Sequence, residues 1–334
     1  MVCALVCAVL AEPSRVASDG ALFRAWAAQH GKAYASAAEE ERRFGLFRAS
    51  QALVEQHNAR TDRTFSMALN RFADLSVDEF FAQSTMETWQ HKPDCALNVT
   101  GTRPRSRVEA AVASPLTRDW REAGIVHPPK DQGRCGSCWA FSTVGAIESH
   151  YAKATGRLLS LSEQQLVDCT RFEGNAGCSG GWPIRAMDYV KRQGGLDDEA
   201  AYPYAAADQS CQFSRRGVKA RIRAFENVFD EDDLGFVVGN IGPASVCFQV
   251  TADFRFYKTG VYASNTCSSA TASINHAVVV VGYGNVNATV GFWIVKNSWG
   301  VGWGDGGYFK MLRGANMCGV ADCASYPVVD AVVA

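Results

Sequence analysis

The sequence predicts an α+β fold of two subdomains with a cleft between them, preceded by a helical segment. Apolar residues recur at helical spacing over roughly residues 20–85. Residues 137–155 are apolar on most faces, which predicts a buried helix that ends at Gly156. The second half instead places short apolar runs between Gly-rich turns, as strands do. The chain is therefore helix-rich first and strand-rich second.

The composition excludes several classes of protein. The chain has 334 residues, of which 47% are hydrophobic and 20% charged, so disordered and collagen-like chains are excluded. The formal net charge of -1 gives no electrostatic support for nucleic-acid binding. The 12 cysteines are more usual in an oxidising compartment than in the cytosol. We expect disulfides that tie loops together around an ordinary core.

Residues 1–11 predict a signal peptide. The apolar stretch 2–11 is too short to span roughly 30 Å of hydrocarbon as a helix, and Val9 and Ala11 are small residues before a cut. No Lys or Arg precedes the stretch, so a truncated gene start or an apolar arm stays open as an alternative. No other segment predicts a membrane span, and we expect a soluble, monomeric mature protein.

The rest of the chain changes character twice. One predicted helix runs from about Ala38 to Arg60, and one seam of it consists of Arg43, Phe47, Ser50, Val54 and His57. Residues 88–115 are rich in Pro, Arg, Thr and Ser without an apolar period, which is typical of a linker that proteases can reach. Beyond it, the predicted strands are Ser245–Val250, His276–Tyr283, Gly291–Lys296 and Gly307–Leu312.

The strongest chemical motif is the run Gln-Gly-Arg-Cys-Gly-Ser-Cys-Trp at residues 132–139. A Cys-x-x-Cys pair has three common roles: a dithiol redox centre, half of a zinc site, or a bridging Cys beside a reactive Cys. No second ligand pair with short spacing is present, as zinc would need. The strand order that follows does not supply the βαβ surroundings of a thioredoxin-type centre. The third role requires a distant base.

His276 and Asn297 are the candidates for that base and its orienting group. His276 opens one apolar strand and Asn297 ends another, although either residue alone is more often structural. A Cys at a helix start, a distant His and an Asn together supply nucleophile, base and orienting group. The combination predicts nucleophilic catalysis by Cys138 without a metal or other cofactor.

The chain resembles the precursors of papain-family cysteine proteases over roughly residues 20–330. The chain contains both motifs of the family's inhibitory pro-segment. The interspersed helix motif is matched by Glu39, Arg43, Phe47, Val54 and Asn58, and the second motif by Ala68, Asn70, Phe72 and Asp74. Ser50 and Ala68 depart from the usual Asn and Gly. The resemblance implies an inhibitory pro-segment over 12–113, helical at about 20–85, and a papain-like peptidase over 114–334. It divides the peptidase into a helical subdomain at about 124–226 and a strand-rich, barrel-like subdomain at about 227–322.

The resemblance also implies how the site works. Cys138 and His276 form a thiolate–imidazolium pair, because a helix N-terminus and an imidazolium lower a thiol pKa. Asn297 orients the imidazole, and Trp299 shields their hydrogen bond from water. The Gln132 side chain and the Cys138 backbone N–H receive the oxyanion. Peptide bonds are then hydrolysed through a thioester acyl-enzyme.

Substrate contacts follow from the same resemblance. Gly180 and Gly181 offer their backbone to an extended peptide. The positions that line the main specificity pocket are Trp182, Pro183, Cys247, Ile274, Ala277 and Cys323. An apolar pocket without a charged floor should prefer a hydrophobic or aromatic side chain. Core packing is the alternative role for these residues.

The cysteines point to one subfamily. The family pattern pairs Cys135 with Cys178, Cys169 with Cys211, and Cys267 with Cys318, and leaves Cys138 free. The ending at residues 316–327 resembles that of the cathepsin H subfamily, which keeps a short pro-segment peptide tied by a disulfide to a Cys near the chain end. Here that implies a retained peptide at about 90–98 and a Cys95–Cys323 bridge. Unpaired thiols, or a Cys247–Cys323 pair, are the alternatives.

The resemblance implies an aminopeptidase with some endopeptidase activity, in a lysosome or similar acidic vesicle or secreted. Its partners are peptide and protein substrates, its own pro-segment and cystatin-type inhibitors. The alternatives are a cathepsin L-like endopeptidase, an inactive binding homologue and a disulfide oxidoreductase at Cys135 and Cys138. Asn98 and Asn287 begin glycosylation sequons.

Acidic residues of the pro-segment predict activation by acid. Carboxylates take up protons as the pH falls, which weakens contacts that depend on their charge. We therefore expect a precursor that is inactive at neutral pH and processes itself in acid. The residues concerned are Glu39, Glu40, Glu41, Asp74, Asp78 and Glu79.

Overall fold

A computed structural model describes residues 18–86 and 113–329 of the chain. The predicted signal peptide, the predicted retained peptide at about 90–98, and with it Cys95 and Asn98, lie outside these residues. Within the two described ranges, no helix has the length and apolar character needed to cross a bilayer.

Helices predominate in the described part of the pro-segment and are the longest regular elements in the first half of the peptidase. In α2 (Ala37–Ala59) the buried residues Phe47, Ser50 and Val54 lie on the predicted seam, and Ser36 caps the helix through the Glu39 backbone N–H. In α4 (Cys138–Thr155) every residue from Cys138 to Ala152 is buried, which confirms the predicted core helix. In chain order the helices are α1 (18–29), α2 (Ala37–Ala59), α3 (Val77–Ser84), α4 (Cys138–Thr155), α5 (Glu163–Cys169), α6 (Pro183–Gln193) and α7 (Glu231–Phe236).

Strands form the second half. The strands are β1 (Phe65–Met67), β2 (Arg118–Asp119), β3 (Leu196–Asp197), β4 (Val218–Ala220), β5 (Ile222–Val228), β6 (Ala244–Phe248), β7 (Tyr257–Tyr262), β8 (His276–Asn285), β9 (Gly291–Lys296), β10 (Tyr308–Arg313) and β11 (Ala324–Val329). The main sheet has the order β1-β7-β10-β9-β8-β6-β11-β5, and β2 pairs with β8. The four predicted strands correspond to β6, β8, β9 and β10 in the middle of this sheet. β6 and β8 are buried on both faces and therefore continuously apolar, whereas β10 alternates buried Phe309 and Met311 with less buried neighbours.

The sheet extends beyond the range of 227–322 expected for the strand-rich subdomain. β5 begins at Ile222, and β11 ends at Val329 and pairs antiparallel with it. The pro-segment is also not wholly helical, because β1 pairs antiparallel with β7. An unpaired β7 edge would leave its backbone groups free for other chains, so the pro-segment covers it.

Two large apolar cores and one small one lie within the described residues. The first joins the sheet to pro-segment side chains, among them Phe23, Trp26 and Phe80. The second surrounds α4 and includes Trp139 from that helix. Met86, the last described residue before the gap, belongs to the second core. The pro-segment therefore packs into both halves of the peptidase.

A buried cluster of charges links the loop before the catalytic motif to two helices. Lys130 Nζ donates to Glu148 Oε1 of α4 at 2.9 Å and to Glu163 Oε1 of α5 at 2.8 Å. It also donates to the Leu161 carbonyl oxygen at 3.1 Å. Burial by itself lowers the pKa of Lys130, but the two carboxylates outweigh it and raise the pKa above its ordinary value. The ammonium therefore stays charged and holds both carboxylates.

We expect Lys130→Met to destabilise the protein by about 3–5 kcal/mol, because it leaves two buried carboxylates without their cation. Arg60→Met is the matched control: it breaks the exposed Arg60–Asp62 pair, which water screens, so the change in stability should be far smaller. Urea unfolding of both variants in a Cys138→Ala background, which cannot process itself, measures the difference. Equal midpoints for the two variants would contradict this account.

Candidate active site

Cys138 is the first residue of α4, and its side chain is buried. No side chain caps this helix, since the Ser137 hydroxyl makes other contacts. The backbone N–H groups of Cys138 and Trp139 therefore remain available to a charge at the helix end. The N–H groups of Ala277, Trp139 and Cys138 itself all favour the thiolate. The fold thus places a sulfur atom where a negative charge finds hydrogen-bond donors.

His276 and Asn297 come together because β8 and β9 are antiparallel neighbours. His276 is the first residue of β8, and Asn297 follows directly on the end of β9. His276 Nε2 donates to Asn297 Oδ1 at 2.8 Å, and the Trp299 ring covers the imidazole with centroids 4.8 Å apart. Nδ1 makes no hydrogen bond with the described residues. With the proton assigned to Nε2 by this bond, Nδ1 is left as the proton acceptor.

Gln132 is fixed by bonds on both ends of its side-chain amide. Its Nε2 donates to the Cys135 carbonyl oxygen at 2.9 Å, and its Oε1 accepts from Ser298 Oγ at 2.6 Å. Nε2 also donates to the Ser84 carbonyl oxygen of the pro-segment at 3.3 Å. Trp299 Nε1 donates to the same oxygen at 3.1 Å. A peptide carbonyl thus already lies at the donors expected to receive an oxyanion.

The predicted pocket residues surround the end of the pro-segment. Cys247 of β6 lies opposite Ala277 of β8. A Cβ at Gly180 would lie 3.2 Å from the Cβ of Met86, and Gly180 has a φ of 129°. One apolar cluster contains Met86, Trp182, Cys247, Ile274 and Ala277, with Cys323 packed against it. Gly181 lies close to Trp139, and Pro183 is the first residue of α6.

The pro-segment occupies the cleft in a continuous line. Phe72 and Phe80 contact the Trp299 ring edge-on at centroid distances of 5.6 and 5.4 Å. Farther along, the Met86 N–H donates to the Asn275 carbonyl oxygen at 2.8 Å. A Cβ at Gly136 would lie only 2.8 Å from the Thr85 carbonyl oxygen, so glycine allows this close approach. The described pro-segment therefore lies along the cleft, and the Cys138 thiol is fully buried.

Three disulfides link the predicted pairs. The bonds join Cys135 to Cys178, Cys169 to Cys211, and Cys267 to Cys318. Cys138 and Cys247 are free, buried thiols. Cys323 is disulfide-bonded. Since every other described cysteine is either bridged elsewhere or free, the partner of Cys323 lies outside the described residues.

Comparison with known proteins identifies the family. Residues 114–328 match the family described as papain family cysteine protease, and residues 23–80 match the cathepsin propeptide inhibitor domain. The chain belongs to the papain family of cysteine proteases. It is a peptidase precursor that carries its own inhibitory domain.

Named relatives and solved precursors agree with this. The chain is 48% identical to the oryzain gamma chain of Oryza sativa subsp. japonica, across 93% of this chain and 84% of that protein. It is 42% identical to pro-cathepsin H of Mus musculus, across 92% and 90%. Among solved structures, digestive procathepsin L 3 of Tenebrio molitor is 38% identical, with a TM-score of 0.83 over 93% of this chain and 99% of the other. The stem bromelain precursor has the same TM-score at 33% identity, over 94% and 99%.

The charge state of the covered site differs from the expected ion pair. Burial raises the pKa of the Cys138 thiol to about 12, against the backbone N–H groups that lower it. Burial also lowers the pKa of His276 to about 4, although its bond to Asn297 acts in the opposite direction. Both groups are therefore neutral at pH 7 while the pro-segment covers them. The ion pair requires water or substrate dipoles that the closed precursor excludes.

Two of the acidic residues expected to respond to acid, Glu39 and Glu79, are held as carboxylates by arginines. Glu39 bonds to Arg42 and Arg43, which lower its pKa to about 2. Burial by itself would raise the pKa of Glu79, yet the Ser76 N–H and the same two arginines lower it to about 2. These carboxylates stay ionised in mild acid. The stabilisation they provide is lost only as the pH falls from about 4.5 towards 2.

Two residues that the sequence analysis missed hold the site in place. Ser298 binds the Gln132 amide, and its position next to Asn297 was a usable signal. Tyr204 had no such signal. Its hydroxyl donates to the Gln132 carbonyl oxygen at 2.8 Å and lies 2.6 Å from Ser137 Oγ, so it joins the loop of Gln132 to the residue before Cys138.

Acid should open the precursor through His276. The imidazole binds a proton more tightly once it is exposed, so opening is favoured as the pH falls from about 6.5 to about 4. At one pKa unit per 1.4 kcal/mol, the full effect is about 3 kcal/mol. Opening is measured in a Cys138→Ala background, which has no activity of its own, as cleavage of the pro-segment by added mature enzyme, with each rate divided by that enzyme's rate on an unfolded substrate at the same pH.

In that assay His276→Gln should remove the pH dependence between 6.5 and 4, whereas Glu79→Gln should retain it. Retention of the full pH dependence in the His276→Gln variant would refute the assignment.

Tyr204→Phe should lower kcat about 3- to 10-fold with little change in KM, because it removes the hydroxyl between Gln132 and Ser137, a loss of about 1 kcal/mol. Tyr202→Phe is the matched control. It also removes a doubly bonded hydroxyl, which contacts Asp168 and the Gln212 N–H away from the site. Equal kcat values for both variants would show that Tyr204 has no special role.

Proposed function

We propose that Cys138, His276, Asn297 and Gln132 carry out peptide hydrolysis. His276 Nδ1 takes the thiol proton, and the sulfur attacks the carbonyl carbon of the substrate. Gln132 Nε2 and the Cys138 N–H hold the oxyanion. His276 then protonates the leaving amine, and water hydrolyses the thioester with His276 as base again. Asn297 keeps the imidazole ring in the orientation that these proton transfers need.

The position of the Ser84 carbonyl carries this proposal. Its oxygen accepts bonds from Gln132 Nε2 and Trp299 Nε1 in the precursor. A substrate carbonyl placed there would have its oxygen at the same donors once the pro-segment has left. Met86 similarly supports an apolar specificity pocket, since its side chain packs with Trp182 and Ile274. A hydrophobic substrate side chain would replace it.

The cathepsin H-type aminopeptidase is the specific activity we propose, with some endopeptidase activity. Relatives named pro-cathepsin H and aleurain are 42–46% identical to this chain. The bridged state of Cys323, whose partner lies outside the described residues, supports a tether from Cys95. A tethered peptide beyond the pocket would leave little room upstream of the cut. A carboxylate at its end would pair with the free amine of a substrate, so single N-terminal residues would be removed.

The same proposal covers processing and location. The predicted signal peptide at residues 1–11 would direct the chain into the secretory pathway and then be removed. The protein would act in a lysosome or similar acidic vesicle, or be secreted. Asn287 lies exposed in the turn between β8 and β9, which supports glycosylation at this sequon. We further propose a monomer that cystatin-type inhibitors block at the cleft.

Cys95→Ser should shift activity from aminopeptidase towards endopeptidase. The physical reason is that the untethered peptide leaves the cleft, which opens the upstream subsites and removes the partner of the substrate amine. The measurement is the ratio of two rates, one on a free-amine single-residue substrate and one on an N-blocked dipeptide substrate. Cys323→Ser should give the same ratio, and the double variant should add nothing further.

An unchanged ratio in all three variants would mean an ordinary endopeptidase of the cathepsin L type. Cys138→Ala should abolish both activities. Residual turnover in that variant would contradict the catalytic mechanism itself.

A further inference from the structure

One ion pair joins the pro-segment to the peptidase directly beside the catalytic motif. Arg71 Nη2 donates to Asp131 Oδ1 at 2.8 Å, and Nη1 makes a second, shorter contact with Oδ2. The guanidinium also lies over the Phe72 ring, 4.9 Å from its centroid. Asp131 thus binds a planar cation with both oxygens, the geometry that arginine recognition uses.

The peptidase holds the Asp131 carboxylate in place by itself. Oδ1 accepts from the Gly133 N–H at 2.9 Å, and the Asp131 backbone bridges to Trp299. A Cβ at Gly300 would lie 3.1 Å from Oδ2, and Gly300 has a φ of 72°, so glycine leaves room for the carboxylate there. None of these contacts depends on the pro-segment. The carboxylate therefore keeps its position when Arg71 departs.

The path of the pro-segment shows on which side of the cut Asp131 lies. Met86 reaches Gly180 and the apolar pocket, which we assign to the acyl part of the substrate. Ser84 lies at Gln132, in the middle. Arg71 and Phe72 lie at the opposite end, against Asp131 and Trp299. Asp131 is therefore on the side where the leaving amine and the chain behind it would lie.

We propose that in the mature enzyme Asp131 is a subsite for a Lys or Arg side chain in the part of the substrate that leaves as the amine. The inference rests on the proposed peptidase cleft and its substrate direction. The Asp131 subsite matters most for an aminopeptidase, because every substrate residue after the first then lies on the leaving-amine side of the cut. Arg71 occupies the subsite in the precursor, so one carboxylate serves the inhibitor first and the substrate afterwards.

The expected preference is modest. With Arg71 in place the Asp131 side chain is still 41% exposed, so water screens the pair. Ion pairs of this kind correspond to about a 2- to 5-fold gain in affinity at low salt. The gain should appear in KM and shrink as ionic strength rises.

The experiment uses mature enzyme and peptides with a free N-terminus. Each of the first three positions after the cut carries Arg or its uncharged isostere citrulline in turn. The wild-type enzyme should give a 2- to 5-fold higher kcat/KM for Arg at one of these positions, and Asp131→Asn should bring that ratio to about 1. The matched control is Asp119→Asn, which makes the same change of charge by breaking the Asp119–Arg121 pair within the peptidase. It should keep the wild-type ratio.

Three results would overturn the proposal: no Arg preference at any position, a preference that persists in Asp131→Asn, or an equal loss in Asp119→Asn. Calorimetric binding of the same peptides to Cys138→Ala, matured by added wild-type enzyme, gives the Arg-to-citrulline ratio without turnover. If peptides bind with that preference but none is cleaved by the wild type, the proposed activity fails and the subsite stands.

Discussion

Removal of water from Cys138 and His276 is the constraint on which the precursor depends. A thiol and an imidazole that are both buried favour their neutral forms, because the ion pair has lost its solvation. The enzyme is therefore kept inactive in two ways, by the chain lying in the cleft and by the protonation state beneath it. We expect the same burial to make the precursor sensitive to acid, because an exposed imidazole takes up a proton at a higher pH than the covered one does.

The contacts that achieve this burial imitate a substrate. The Ser84 carbonyl oxygen takes the bonds of Gln132 and Trp299, and Met86 fills the apolar pocket. The Met86 N–H bonds to the Asn275 carbonyl as a main chain would. The pro-segment also adds β1 to the sheet edge at β7. Because these are mostly backbone and apolar contacts, they do not themselves weaken at pH 5.

Behind the cleft, the peptidase holds its catalytic groups through interactions that no motif contains. Lys130, two residues before Gln132, lies between the buried carboxylates of Glu148 and Glu163. The Tyr204 hydroxyl bonds to the Gln132 carbonyl from another direction. The loop of Gln132 is thereby tied to α4, to α5 and to Ser298. The proposed oxyanion site combines the flexible Gln132 side chain with the Cys138 N–H and needs such a frame, since a displacement of about 1 Å is costly in catalysis.

The sequence by itself determined the local features: the seam of α2, the buried helix α4, the four central strands, and the candidate Cys, His and Asn. Each depends on the spacing of apolar residues or on a short motif, and both are determined by residues that are close together in the chain. Only the tertiary structure decided what depends on distant contacts: the pairing of β1, β5 and β11, the role of Tyr204, and the neutral state of Cys138 and His276. Arg71 and Asp131 are 60 positions apart, and no local pattern links them. Burial and ion pairing are properties of the folded chain, and a pKa follows from both.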